Sequence, residues 1–318
     1  MSYNCVFVIG PTAVGKTAIG VRLARRFNGE IISADSRQVY TGLDIGSGKD
    51  LKDYILDGEK IPCHLIDICD LKREYNLFDF QEDFYSAFSD ISSRSKLPIC
   101  VGGTGMYVDA ILHHYDMIPF TEKPGDRAEL ETKSEEELKE ILIKEKEKLH
   151  NTSEFGDRER MIKSILINRF NISEECRLAR EKLRASRPLL KPLVLGTTLD
   201  RTLVRQRISK RLKDRLEEGL IEEVEGLHAN EKENGASWSR LEALGLEYRF
   251  VSEYLQGKIE SKEKLYELLN LAIGQFAKRQ ETWFRCMQKK GIDIHWLNQD
   301  MSVENRFLQA CEILTSQK

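Results

Sequence analysis

The stretch Cys5-Val6-Phe7-Val8-Ile9-Gly10-Pro11-Thr12-Ala13-Val14-Gly15-Lys16-Thr17 decides the fold. Residues 5–9 are an unbroken apolar run, the pattern of a strand buried on both faces, and the run stops at Gly10 in a loop closed by Gly15. Beyond the loop, Ile19, Val21, Leu23 and Ala24 give the pattern of a helix. A strand, a loop of the form G-x-x-x-x-G-K-T and a helix together make a phosphate-binding loop. Backbone N–H groups turn inward, and the helix brings its positive dipole end to the same point. Gly10, Thr12, Ala13, Val14, Gly15, Lys16 and Thr17 are the candidate phosphate contacts. Lys16 adds a mobile point charge, and the Thr17 hydroxyl can ligate a Mg²⁺ ion held by the phosphates. The motif leaves open which phosphate is bound and what is done to it.

Working outward, the 318 residues suit one large domain or two, and a 41% hydrophobic content supplies a core for either. The formal net charge is −3, so attraction to nucleic acid requires a local basic face. The seven cysteines (Cys5, Cys63, Cys69, Cys100, Cys176, Cys286, Cys311) contain no C-x-x-C pair and read as reduced thiols; Cys63, His64 and Cys69 match no zinc template. No apolar run approaches membrane-spanning length, and no basic segment followed by a long apolar one opens the chain. A soluble, cytoplasmic monomer with no membrane partner is expected.

Residues 30–34 read as a second buried strand that delivers Asp35-Ser36 to the same sheet edge as the loop. A carboxylate there could hold Mg²⁺ through water, take a proton from an acceptor, or simply cap a turn. Residues 41–60, rich in Gly, Asp and Lys, read as an exposed loop with little fixed structure, and 64–68 as a short apolar run. Phe80, Phe84, Phe88 and Ile91 share one face of a helix. A strand at 97–101 then runs into Gly102-Gly103-Thr104-Gly105, where small residues admit a ligand and Thr104 offers a hydroxyl. From 119 to 189 the chain turns charged and helical, with helices expected at 134–149 and 158–170; in the second, Met161, Ile162, Ile165 and Leu166 lie opposite Arg158, Arg160 and Lys163. A strand resumes at 193–198, followed by a basic helix on which Arg207 and Arg211, four apart, share a face as an anion clamp would. Helices at 216–228, 241–255 and 262–287 and a closing strand at 292–297 complete the chain. The fold class is α/β: a P-loop NTPase-like parallel sheet core flanked by helices (1–118 and 190–318), interrupted by a small helical insertion domain (119–189).

These stretches, with Glu30-Ile31-Ile32-Ser33-Ala34-Asp35-Ser36-Arg37-Gln38-Val39-Tyr40, Gly42-Leu43-Asp44-Ile45-Gly46, Arg207-Ile208-Ser209-Lys210-Arg211 and residues 277–285, resemble the tRNA dimethylallyltransferases in order along nearly the whole chain. The resemblance implies transfer of a dimethylallyl group from dimethylallyl diphosphate to N6 of the adenosine 3′ of the anticodon, in tRNAs that read codons beginning with U. It implies Asp35 as general base, with Lys16, Thr104, Arg211 and Mg²⁺ stabilising the leaving diphosphate, and Arg207 beside Arg211 in the diphosphate site. By the same resemblance Asp35, Ser36, Arg37, Gln38, Thr104, Arg127, Glu159, Arg160, Met161, Ile162 and Lys163 contact tRNA, and the insertion clamps the anticodon stem. The chain departs from the family pattern at Glu154-Phe155-Gly156-Asp157, Lys163-Ser164-Ile165-Leu166, Gly46-Ser47-Gly48-Lys49-Asp50 and Gly245-Leu246. A prenyltransferase acting on free adenine nucleotides, a P-loop small-molecule kinase and a nucleic-acid-binding module with a decayed core are the competing readings.

Overall fold

The computed structural model describes residues 2–123, 125–145 and 157–316. The strands are β1 (Cys5–Ile9), β2 (Gly29–Ala34), β3 (Ile55–Leu56), β4 (Glu59–Lys60), β5 (Cys63–His64), β6 (Leu97–Gly102), β7 (Pro192–Gly196) and β8 (Ile294–Trp296). Among the described residues, six of them form one parallel sheet in the order β5-β2-β6-β1-β7-β8. All of β1 and β2 is buried, because the strands are covered on both faces. The period of two divides β1 between the faces: Cys5, Phe7 and Ile9 join one core with Phe80, Phe84 and Phe88, while Val6 and Val8 join another with Ile19, Leu23, Ala310 and Leu314.

Register fixes where a ligand can sit. Ile9 pairs with Gly102 and with Gly196, and Ala34 pairs with Gly102, so four strands end level. From β1 the chain goes on to β2 on one side, and from β6 it returns to β7 on the other. Ligands bind outside the carboxyl ends of strands at such a switch point.

Three expectations are corrected. Residues 41–60 are anchored: Leu43 and Tyr54 are buried, Leu51–Tyr54 is a 3-10 turn, and β3 pairs with β4. The buried Lys49 ammonium ties this segment down, donating to the Tyr40 carbonyl at 2.9 Å, to Asp44 at 2.8 Å and to Asp67. Second, the helices expected at 216–228 and 241–255 are broken at Gly219 (φ 104°) and Gly245 (φ 77°), where a left-handed backbone favours glycine. Third, the chain does not close on a strand: β8 is followed by the helix Val303–Ser316, which covers the first helix, Lys16–Arg26, through Ala310 and Leu314. Among the described residues no helix is long and apolar enough to cross a membrane.

The chain divides into two compact units, residues 1–114 with 188–318, and residues 115–187. In the smaller unit the helices Ala128–Glu131, Glu135–Glu145, Arg158–Ile172 and Glu174–Ser186 enclose Leu130, Leu138, Leu142, Met161, Ile162, Ile165 and Leu166. Asp157 caps the third of these by accepting from the Arg160 amide at 2.8 Å. The helix expected over 134–149 is described as far as Glu145; its end and the departure at 154–156 lie outside the described residues.

Candidate active site

The phosphate loop is shaped by three left-handed or strained residues. Gly10 (φ 154°) has no room for a side chain, since a Cβ there would stand 2.1 Å from the Thr197 carbonyl; Ala13 (φ 65°) and Gly15 (φ 89°) turn the intervening peptides. Lys16 Nζ donates to the Pro11 carbonyl at 2.6 Å across the loop. Arg211, from the helix Arg201–Glu217, donates through Nη2 to the Thr12 hydroxyl. Gln280, from the long helix Lys262–Lys289, accepts from the Thr12 amide at 2.9 Å and donates to the Gly103 carbonyl at 2.8 Å, joining the first wall to the third.

The second wall follows β2. The Asp35 carboxylate accepts from the Arg37 amide at 2.9 Å, and the Ser36 amide donates to the Thr104 hydroxyl at 3.1 Å. The Thr104 amide in turn donates to the Ala34 carbonyl at 3.2 Å, so the turns after β2 and β6 support one another. These residues line a cavity of about 620 Å³. The lining also includes the apolar side chains Leu244, Leu246, Ala272, Ile273 and Phe276, interleaved with Glu247, Arg249, Gln275 and Arg279.

Positive charge concentrates here at a cost. Desolvation lowers the Lys16 ammonium to about 8, with Asp35 opposing the shift and Arg211 adding to it. Desolvation likewise lowers Arg211 to about 10, reinforced by Arg215. Glu247 lies 3.4 Å from Arg215 in the same enclosure, and burial raises its carboxyl. By contrast the thiols of Cys5 and Cys63 are pushed up to about 12 by burial, which leaves them poor nucleophiles.

Of the residues singled out in the sequence, Thr12, Ala13, Gly15, Lys16, Thr17, Asp35, Ser36, Arg37, Gln38, Thr104 and Arg211 are brought to this cavity. Gly10, Val14 and Arg207 are not among those lining it. Val14 is buried in the core, and Arg207 grips the loop from outside, donating to the Ala13 carbonyl at 3.4 Å. In the smaller unit Arg127 pairs with Glu159 and lies within 3.4 Å of Glu122, while Arg160 pairs with Asp157 at 3.2 Å and Lys163 is exposed. Met161 and Ile162 are fully buried in that unit's core, on the apolar stripe of their helix, so their side chains face inward. Sequence reasoning missed Gln280, a lone amide among bases and aromatics, and Arg306, which lies on the unforeseen C-terminal helix and donates to the loop's Val14 carbonyl at 2.9 Å.

Fold and site define a P-loop protein of the α/β class whose loop opens on a cavity lined by Asp35, Lys16, Arg211 and a set of apolar side chains. A sequence profile described as IPP transferase matches residues 38–287, and one described as Isopentenyl transferase matches residues 3–63. The chain is 49% identical over 295 residues to tRNA dimethylallyltransferase 2 of Treponema denticola, spanning 93% of this chain and 96% of that protein. It is 46% identical over 313 residues to tRNA dimethylallyltransferase 2 of Shewanella sediminis, spanning 98% of each. Among solved structures, the tRNA isopentenylpyrophosphate transferase of Bacillus halodurans superposes with a TM-score of 0.70 at 29% identity, over 99% of this chain and 96% of that one. A eukaryotic dimethylallyltransferase acting on tRNA, at 23% identity and a TM-score of 0.74, shares the fold over 99% of this chain and 80% of its own. This chain belongs to the IPP transferase family.

Proposed function

We propose that this protein transfers a dimethylallyl group from dimethylallyl diphosphate to the exocyclic N6 of the adenosine 3′ of the anticodon, in tRNAs that read codons beginning with U, and releases diphosphate. The observation that carries this reading is one cavity lined by the phosphate loop with Lys16 and Arg211, by the Asp35 carboxylate, and by the apolar side chains Leu244, Leu246, Ala272, Ile273 and Phe276. A diphosphate bearing a short hydrocarbon matches both the phosphate loop and these apolar side chains.

In the reaction the adenine nitrogen forms a bond to the allylic carbon as the carbon–oxygen bond to diphosphate breaks. Asp35 accepts the proton that N6 loses, and Lys16, Arg211 and the loop amides stabilise the charge gathering on the leaving group. Thr104, which accepts from the Ser36 amide, holds the turn after Asp35 in place. Thr17 lines the cavity with a hydroxyl oxygen, a hard donor that fits Mg²⁺ beside phosphate, and there the ion would neutralise charge on the departing diphosphate. N6 is out of reach inside a base stack, so the adenosine is turned out of its loop into the cavity. Ser36, Arg37 and Gln38 line the side by which it enters, and the smaller unit, with exposed Arg160 and Lys163, grips the anticodon stem.

The test incubates the protein with Mg²⁺, labelled dimethylallyl diphosphate and, separately, unmodified tRNA, AMP or ATP. Label is expected on tRNA. Label on AMP or ATP alone overturns the tRNA reading, and phosphate release from ATP without prenyl transfer supports a kinase.

A further inference from the structure

The C-terminal helix Val303–Ser316 takes no part in the chemistry above, yet its Arg306 is completely buried against the phosphate loop. Nη1 donates to the Val14 carbonyl at 2.9 Å and to the Thr197 hydroxyl at 2.5 Å. Nε and Nη2 are also buried and have no hydrogen-bond partner among the described residues. Burial, and then the neighbouring Arg207 guanidinium, push the Arg306 pKa down. A guanidinium so placed is a poor way to fill space: an apolar side chain of similar length avoids the desolvation and leaves no donors unmade. Packing alone therefore does not explain a cation at this position.

Peptide geometry supplies a reason. A trans peptide points its carbonyl and its following N–H in opposite directions, and no cis peptide occurs among the described residues. A guanidinium that draws the Val14 carbonyl away from the cavity thereby aims the Gly15 N–H into it, and Gly15 lines the cavity. Arg207 holds the Ala13 carbonyl in the same manner, which orients the Val14 N–H. Thr197 completes the mounting, since its amide donates to the Ile9 carbonyl at 2.8 Å and its own carbonyl underlies Gly10. One turn earlier on the C-terminal helix, Val303 packs so closely behind Gly15 that a Cβ there would meet it at 3.3 Å.

We propose that Arg306 is a positioning residue for the transferred group's diphosphate: it fixes the Val14–Gly15 peptide with its N–H toward the leaving group and sets a permanent positive charge behind the loop. This rests on the loop being the diphosphate site. It makes Arg306 part of the diphosphate machinery, although the helix that carries it contributes no atom to the cavity wall.

The test uses the full chain with Arg306→Met, Arg306→Lys and, as a control away from the loop, Leu314→Ala, measuring inorganic diphosphate binding by calorimetry, KM for dimethylallyl diphosphate, tRNA affinity and Tm. Arg306→Met should weaken diphosphate and raise KM for dimethylallyl diphosphate about tenfold to hundredfold while tRNA affinity holds. Arg306→Lys, which keeps the charge but not the forked donor, should recover part of that loss. Leu314→Ala opens a gap in the core beneath the same helix, away from the loop, and should lower Tm with diphosphate affinity unchanged. Wild-type diphosphate affinity in Arg306→Met overturns the proposal, as does weakening that tracks Tm equally in Arg306→Met and Leu314→Ala. Should Arg306→Met fail to fold, Arg306→Lys decides: wild-type diphosphate affinity there also overturns the proposal. A wild-type protein that binds no diphosphate brings down the reading of the loop and this proposal with it, an outcome distinct from an effect missing only in the variants.

Discussion

The two compact units handle charge in opposite ways. In the larger, Arg215 and Arg306 are buried, Lys16 and Arg211 are desolvated enough to lose basicity, and the hydrogen bonds around them join residues far apart in sequence, as Arg211 to Thr12 and Gln280 to Gly103 do. In the smaller, no charged residue is buried among the described residues, and the charges pair outside an apolar core, some locally, as Arg177 with Glu174 and Glu181 and Arg160 with Asp157, others across the unit, as Arg127 with Glu159. Desolvated cations that crowd one another destabilise the fold and persist where an anion arrives to pair with them. Exposed pairs contribute about 0–1 kcal/mol and can exchange a carboxylate for an RNA phosphate at little cost. On the proposed function, the larger unit serves chemistry on a fixed anion and the smaller a salt-sensitive grip.

The largest effect expected from this division is on turnover. Asp35→Ala should lower kcat by about 10²–10⁴, since the carboxylate acts on a proton lost in the transition state, with tRNA affinity largely kept. Turnover close to wild type in single-turnover assays would remove Asp35 from the role of base and leave the larger unit's carboxylate unexplained.

A smaller effect follows from Lys16. In the free protein its ammonium, lowered to about 8 chiefly by desolvation, is protonated below that pH and neutral above it. A bound diphosphate favours the charged form, so binding above pH 8 takes up a proton and affinity falls as pH rises, by up to about tenfold per unit. Calorimetry of dimethylallyl diphosphate at pH 7 and pH 9, in buffers of different ionisation enthalpy, reads both quantities. Lys16→Arg stays charged throughout and should flatten the profile; an equally flat profile in the wild type would show that desolvation of the site does not govern binding.

What could be read in the sequence follows the same division. Gly10, Gly15, Lys16 and Thr17 were legible because a phosphate loop is local, its strand, turn and helix lying within a single stretch. Asp35 and Thr104 were legible because each directly follows a strand, and strand ends converge at one edge. Met161 and Ile162 show how a correct helical pattern reveals burial, whereas position within a motif alone suggested contact with RNA. Gln280 and Arg306 could not be found this way. Their partners lie 268 and 292 residues distant, and no local pattern marks one amide or one guanidinium in a helix as facing a loop from the far end of the chain. The breaks at Gly219 and Gly245 were hidden because the apolar spacing continues across them and only the backbone conformation changes.

The smallest effect belongs to the smaller unit and tests whether its exposed charges serve RNA at all. Lys163 stands on the helix Arg158–Ile172, exposed, while its neighbours Met161 and Ile162 fill the core. Its removal costs no buried contact, so Lys163→Ala should leave unfolding free energy within about 0.5 kcal/mol of wild type and kcat at saturating tRNA unchanged. If it neutralises one phosphate, the slope of log affinity for tRNA against log salt should become shallower by about 0.7–0.9, with a few-fold loss of affinity at low salt that fades as salt rises. Dimethylallyl diphosphate affinity should not move. A salt slope equal to that of wild type would mean that the exposed face of this helix does not meet the RNA backbone, and the grip would then have to be sought among the basic residues of the larger unit.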